Sequence, residues 1–292
     1  MAAKQCVLVT GATGKLGSKT CEALARRGYE LRATDQKLEA GFAFPAELGD
    51  LKDEYFVHRL MRGVDAVVHM GNHPNAFVGP SPQRILAENT QMNANVFHAA
   101  AQLGIGRIVF VSSIQAVLYT NQENKDETYV LPYFPLDGRL PYAPGPNTYG
   151  QSKEWGERML QHLTAAHPGL TATALRYPML LNERFFARFE TIRSRAGNWF
   201  NFSECLAHLT FEDAAELIAI VTGIVRPGFK AYFPAQAMQF QNRSTADLIR
   251  QFYPKTKLER PIEVIDELID ISEITNDTGW KPTRRIRVPL ED

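Results

Sequence analysis

Cysteine is scarce in this chain. Cys6, Cys21 and Cys205 are too widely spaced, and odd in number, to suggest a disulfide framework or a zinc cluster, so they read as buried thiols. Long apolar runs are missing too: nothing reaches the length of a membrane span, and the short polar lead into Cys6 lacks the apolar stretch and cleavage site of a signal peptide. A cytoplasmic protein with no membrane partner is expected. Charge of one sign is also absent, because 32 basic residues balance 32 acidic ones, and nothing draws the chain toward nucleic acid. No His/Asp/Glu spacing suggests a metal, and there is no internal repeat or low-complexity linker. What remains is 292 residues, 45% of them hydrophobic, which can bury one large core or a core with a small lobe. That suits a compact enzyme.

The first half alternates apolar runs with helical patterns. Cys6 to Thr10, Glu30 to Thr34, Ala43 to Leu48 (the weakest), Ala66 to Met70, Arg107 to Val111 and Thr171 to Tyr177 read as strands. Helices are expected from Leu16 to Gly28, Lys52 to Met61, Ile85 to Leu103 and about Tyr149 to His167. Continuously apolar strands alternating with helices predict a doubly wound α/β fold, a parallel sheet covered on both faces. From Pro178 onward the alternation is lost, although Phe211 to Val221 and Thr245 to Phe252 still read as helices. The expected division is a cofactor-binding domain over 1–177 and a smaller substrate-binding region over 178–292 that partly returns to the main sheet.

Two motifs carry the chemistry. The first is the turn Thr10-Gly11-Ala12-Thr13-Gly14-Lys15-Leu16-Gly17 between the first strand and first helix. Gly11 permits the tight turn, Gly14 lets the backbone approach a pyrophosphate, and Gly17 lets the helix pack on the sheet. The helix N-terminus supplies free amides and a positive dipole end. The spacing Gly-x-x-Gly-x-x-Gly departs from Gly-x-Gly-x-x-Gly, and a plain strand-to-helix turn is the alternative. Asp35, ending the second strand, can accept hydrogen bonds from ribose hydroxyls and would repel a phosphate there, which favours NAD over NADP. Alternatively Asp35 only satisfies turn amides, and Lys15 and Lys37 keep NADP open.

The second motif is Tyr149-Gly150-Gln151-Ser152-Lys153. Four residues apart on a helix, Tyr149 and Lys153 share a face, and an ammonium beside the phenol favours phenolate, suiting the tyrosine to acid/base work. A bare surface pair is the alternative. Ser112-Ser113, at the strand end where open parallel sheets bind ligands, favours the catalytic reading. His69 lies in an apolar strand and reads as a core histidine, Trp280 as a buried anchor, and Arg176 as a structural ion pair more readily than a carboxylate binder.

With these residues in view, the chain resembles the extended short-chain dehydrogenase/reductases of the NAD-dependent epimerase/dehydratase family. The likeness runs through Thr10 to Gly17, Asp35, Gly49-Asp50-Leu51, Val68 to Gly71, Asn89, Val109 to Ser113, Tyr149 to Lys153, Leu175 to Pro178 and Gly279 to Pro282. It implies a Rossmann fold, NAD as cofactor, and a homodimer through helices flanking the sheet, including that of Tyr149. By the same resemblance, Gly11, Thr13, Gly14, Lys15, Leu16 and Gly17 would hold the phosphates and Asp35 the ribose. Asp50 and Leu51 would flank the adenine, Met70 and Gly71 would line the cleft, Asn89 would organise the lysine, and Tyr177 and Pro178 would lie near the nicotinamide. Ser113, Tyr149 and Lys153 would be the catalytic set, although Ser112 or Ile114 could occupy the serine's register.

Departures from the family pattern narrow the reaction. Dehydratases carry Thr-Asp-Glu where this chain has Ser113-Ile114-Gln115, so the extra acid and base for dehydration are missing. A dehydrogenase acting on a sugar or sugar-acid hydroxyl is expected, in keeping with a short C-terminal portion and a layout similar to uronate dehydrogenases. Asn72, His73, Ser113 and Gln115 would contact the carbohydrate-like substrate. A nucleotide-sugar epimerase working through a transient ketone is the alternative, and a non-catalytic NAD-sensing regulator is a third reading.

Overall fold

The computed structural model describes residues 4–74, 79–118, 128–193 and 200–289. Strands β1 (Cys6–Thr10), β2 (Glu30–Asp35), β3 (Ala46–Leu48), β4 (Ala66–His69), β5 (Arg107–Ser113) and β6 (Thr171–Tyr177) form a parallel sheet in the order β3-β2-β1-β4-β5-β6. This is the doubly wound Rossmann order, and its reversal between β1 and β4 opens the crevice in which such sheets bind ligands.

Alternating side chains along each strand feed two cores. Val7 and Val9 pack on one face with Cys21 and Leu24 of α1 (Lys15–Arg26) and with Leu217 and Ile218 of the later helix Phe211–Thr222. Leu8, Val67 and Phe110 face the other way, against Leu60 of α2 (Glu54–Met61), Phe97 of α3 (Pro82–Gln102) and Leu160 of α4 (Thr148–Ala166). Burial on both faces explains why β1 and β4 are apolar almost throughout; β6 is buried along its whole length, Thr171, Thr173 and Arg176 included.

Element ends differ from the sequence reading for local reasons. Helix α3 begins a turn earlier than Ile85, because Ser81 accepts a capping bond from the Arg84 amide and Pro82 suits the first helical position. Helix α2 starts after Asp53, whose carboxylate caps the amides of Tyr55 and Phe56. Strand β5 runs on to Ser113, pairing Ser112 with Arg176 and Ser113 with Tyr177, so both serines end a sheet strand. Strand β3 is short because its ladder to β2 spans only Ala46 to Leu48.

Beyond β6 the chain builds the lobe. Strand β7 (Met179–Leu181) leads into α5 (Glu183–Glu190) and pairs with β8 (Ala207–Thr210), which continues into α6 (Phe211–Thr222). Then β9 (Gly228–Tyr232) returns to the main sheet, parallel to β6, before the chain leaves again through β10 (Gln236–Ala237), β11 (Gln239–Phe240) and α7 (Thr245–Phe252). Helix α8 (Ser272–Thr278) and β12 (Arg287–Val288) complete the described chain. An aromatic cluster fills the lobe, with Phe202 stacked on Phe252 at 4.2 Å between ring centroids and Phe240 edge-on to Phe202. Trp280 is buried and donates its indole N–H to Asp213 O (3.1 Å), tying the C-terminal segment to α6. The three cysteines are buried free thiols.

Candidate active site

The glycine turn is built to tolerances that exclude a side chain. Gly11 has φ 68°, and a Cβ there would stand 3.0 Å from the backbone of Met70 and Gly71, while a Cβ at Gly17 would stand 2.1 Å from Gly11 O. Helix α1 starts behind Gly14 with no side chain capping its first amides, leaving them for an anion. They open onto a cleft of about 670 Å³ at the C-terminal edge of the sheet. Gly11, Gly14, Lys15, Leu16 and Gly17 form one end of its wall, and Tyr149 and Lys153 stand in the same wall.

Asp35 does two jobs. Its Oδ2 accepts from the amide and hydroxyl of Thr13 (both 3.0 Å) and its Oδ1 from the Gln36 amide (2.8 Å), so it fixes the glycine turn while lining the cleft. Thr13 is accordingly buried behind the turn. Lys37 pairs with Glu39.

A buried chain of hydrogen bonds links this end to the lysine. Thr10 Oγ1 accepts from the amides of Met70 and Gly71 (3.1 Å each), which leaves its own hydrogen for His69 Nδ1 (2.7 Å). That choice puts the ring proton on Nε2, which donates to Asn93 Oδ1 (2.9 Å). Asn72 Nδ2 donates to the same oxygen (3.0 Å), and Asn72 Oδ1 accepts from Lys153 Nζ (2.8 Å). Lys153 also donates to Val111 O (2.8 Å), so two of its three N–H groups are committed. Burial, then the charge of Lys153, pushes the His69 pKa down to about 3, and the ring is a neutral link. Burial likewise pushes Lys153 down to about 7, opposed by Glu157.

Tyr149 follows from a different set of contacts. Asn147 caps α4 through the amides of Tyr149 and Gly150 (3.1 and 3.2 Å), and its Nδ2 donates to Gln115 Oε1 (2.8 Å). The Gln115 amide donates to Ser113 Oγ (3.2 Å), and the Ser113 hydroxyl bonds the Tyr149 hydroxyl. Burial pushes the phenol up to about 12; the Ser113 bond lowers it and the charge of Glu204 raises it. Lys153 Nζ, held by Asn72 and Val111, stands 5.5 Å from the tyrosine ring centroid. Ser112 turns the other way: its hydroxyl donates to Glu157 Oε1 (2.5 Å), in a buried cluster where Arg176 also meets Glu157 (2.8 Å). Arg176 is therefore tied into a structural ion pair.

The remaining expected residues divide. Leu51, Met70, Gly71, Asn72 and His73 join the cleft wall. The His73 ring, however, is taken by Glu88 (2.7 Å), and Asn72 faces the lysine. Asn89 is buried without touching Lys153; it ties the His73 backbone to Ser152 Oγ. Asp50 closes its own turn on the Lys52 amide, and Tyr177, next to Pro178, turns its ring into the core and donates its hydroxyl to Ala214 O (2.7 Å). Sequence reasoning did not single out Leu180 and Phe211, which the lobe adds to the cleft wall, or Glu204, whose carboxylate accepts from Gln115 Nε2 (3.4 Å). Leu180 lies in the three-residue strand β7, Phe211 opens α6 and Glu204 ends a single helical turn, none of them within a motif; the one available signal was an acidic residue in an otherwise apolar stretch.

The uncapped helix start, the close-packed glycines and the acid ending β2 fit a dinucleotide, and comparison with known proteins agrees. A model of the NAD dependent epimerase/dehydratase family matches residues 7–196. The chain belongs to this family. It is thus an NAD-dependent enzyme of Rossmann fold. Among its relatives, uronate dehydrogenase of Pseudomonas putida is 29% identical over 76% of this chain and 72% of that enzyme, and uronate dehydrogenase of Pseudomonas syringae is 33% identical over 52% of each. UDP-glucose 4-epimerase of Azospirillum brasilense is 33% identical over 60% of this chain and 49% of its own. Among solved structures, an NAD complex of a uronate dehydrogenase variant from Agrobacterium tumefaciens superposes with a TM-score of 0.66 at 23% identity, covering 97% of this chain and 86% of that one. Among the described residues, no helix is long and apolar enough to cross a membrane, and no cluster of side chains could hold a metal.

Proposed function

We propose that the enzyme is a dehydrogenase that oxidises a hydroxyl-bearing carbon of a sugar or sugar acid, with Ser113, Tyr149 and Lys153 as its catalytic residues. The observation that carries this reading is that Tyr149 and Lys153 stand together in the wall of the cleft that the glycine turn opens, with Ser113 favouring the Tyr149 phenolate. Ser113 orients the substrate oxygen by hydrogen bonding, and Tyr149, as phenolate, takes the hydroxyl proton while the C–H electron pair leaves carbon and the C=O bond forms. Lys153 keeps one N–H for the cleft, where its charge favours the phenolate once ligands are in place. Bound at the glycine turn and Asp35, NAD supplies the hydride acceptor. The likeness to uronate dehydrogenases supports a sugar acid as substrate.

The likeness to UDP-glucose 4-epimerases supports a second reading, in which the same groups form a ketone and then return the hydride. Incubation with NAD and a panel of uronates, aldoses and nucleotide sugars separates the two. Net NADH matching the oxidised product marks the dehydrogenase; isomers interconverting without NADH mark the epimerase. Turnover that survives Tyr149→Phe would remove the catalytic assignment, and an output that persists without the phenol would point to a regulator. The proposal extends to a cytoplasmic homodimer paired through the helices flanking the sheet, where α4 exposes Trp155 (43%).

A further inference from the structure

Glu204 is a buried carboxyl group without a task in the reading above. It closes the single helical turn Phe202–Glu204 in the lobe and is 4% exposed. Its partners among the described residues are neutral amides: Asn201 Nδ2 donates to one oxygen and Gln115 Nε2 to the other. A carboxylate buried without a cation is costly, and a merely structural role would be filled better by a neutral side chain. The local fold does not call for it either. The turn closes on main-chain bonds, from Leu206 N to Asn201 O (2.7 Å) and from Cys205 N to Phe202 O (3.0 Å). Cys205 and Leu206 follow with φ of 61° and 54°, a left-handed conformation that residues other than glycine rarely hold and that tends to gather at functional sites.

The carboxyl leads to the chemistry through Gln115. That side chain donates to Glu204 and accepts from Asn147, the cap of α4, while its amide donates to Ser113 Oγ. Ser113 in turn meets Tyr149. The frame Ser113–Gln115–Asn147–Tyr149 is thus anchored to the lobe at Glu204. We propose that Glu204 is a positioning residue for the Tyr149–Ser113 pair, acting through Gln115, and that through it the lobe governs proton transfer. This rests on Tyr149 being the group that moves the proton.

Charge sharpens the test. Burial holds Glu204 up to about 7, and when ionised it opposes loss of the phenol proton. The other charged group facing the tyrosine among the described residues is Lys153, on its own helix; Cys205 and Tyr253, near Glu204, are held protonated by burial. Removing the carboxylate therefore makes Tyr149 easier to ionise.

The experiment is a double-mutant cycle of Glu204→Gln and Gln115→Ala in the full chain, read as NADH formation on the sugar or sugar acid that the panel identifies. NAD affinity, followed by fluorescence titration, checks that each variant is folded, and Glu204→Asp is the second variant should Glu204→Gln not fold. Each single change is expected to lower kcat/KM about tenfold, and the double variant is expected to be no worse than the poorer single. The acid limb of the kcat/KM profile is expected about one pH unit lower in Glu204→Gln. Effects that multiply to about a hundredfold, or an unmoved acid limb, would overturn the proposal. Tyr149→Phe in the same assay keeps the two readings apart: if it retains turnover, the proposed function fails, whereas an inactive Tyr149→Phe beside a multiplicative cycle rejects Glu204 alone.

Discussion

The two ends of the cleft are organised by opposite means. On the sheet side, Lys153 is held by a neutral relay through Asn72, Asn93, His69 and Thr10, with the proton of each donor assigned by the next acceptor. On the lobe side, a carboxyl without a described cation ends a single helical turn, just ahead of two left-handed residues, and leads toward Tyr149 through Gln115. The relay itself carries no charge, because His69 stays neutral across the working range, while Lys153 at its end is held down to about 7. The second carries a charge that changes near neutrality. The lysine is thus placed by neutral partners, while the lobe brings an ionisable group of its own toward Tyr149.

The sharpest way to break the comparison is Tyr149→Phe, which should lower kcat by about 10³-fold with NAD affinity retained. Steady-state kinetics beside a binding titration would show it, and a loss confined to NAD binding would move the tyrosine out of the chemistry. Asn72→Ala takes one acceptor from Lys153 and should cost roughly 10- to 100-fold in kcat, with sugar KM little changed. A rise in KM with kcat intact would instead return Asn72 to the substrate-contact role its place in the sequence suggested.

Much of the sheet side was legible because its residues are constrained by backbone geometry. Gly11 and Gly17 are required by contacts of 3.0 and 2.1 Å, and such demands leave a glycine in the sequence. The apolar strands were visible because both sheet faces are covered. Partners across the fold were not visible: nothing local to Asn72 says that it meets Lys153 rather than substrate, or that Tyr177 turns inward to Ala214. Glu204 was hidden for the same reason, since its significance lies in Gln115, which comes from the turn after β5 and not from its own segment.

A smaller effect tests whether Asp35 serves the ribose, the turn, or both. Asp35→Ala should weaken NAD by about tenfold while narrowing the preference over NADP. If NAD and NADP weaken in step, Asp35 acts by holding Thr13 alone. The mildest expectation concerns stability. Because folding raises Glu204 from its ordinary 4.5 to about 7, the folded state binds the extra proton in that window, and wild-type stability falls as pH rises through it. Glu204→Gln should therefore gain on wild type between pH 5 and pH 8 by on the order of 2 kcal/mol, read as a relative shift in Tm of roughly 5 °C. An equal Tm difference at both pH values would mean that Glu204 is already ionised at the lower one.

Strand β9 gives the molecule an interleaved construction. The chain enters the lobe after β6, comes back to lay Gly228–Tyr232 along the sheet edge, and departs again. The lobe is therefore not a cassette that evolution or an engineer can exchange at a single junction. Grafting a new one needs three junctions, after β6 and on either side of β9, and a cut after β6 alone would strip the sheet of its outer strand. Point changes in the cleft wall that the lobe supplies, at Leu180 or Phe211, leave this weave intact where a transplanted lobe would not.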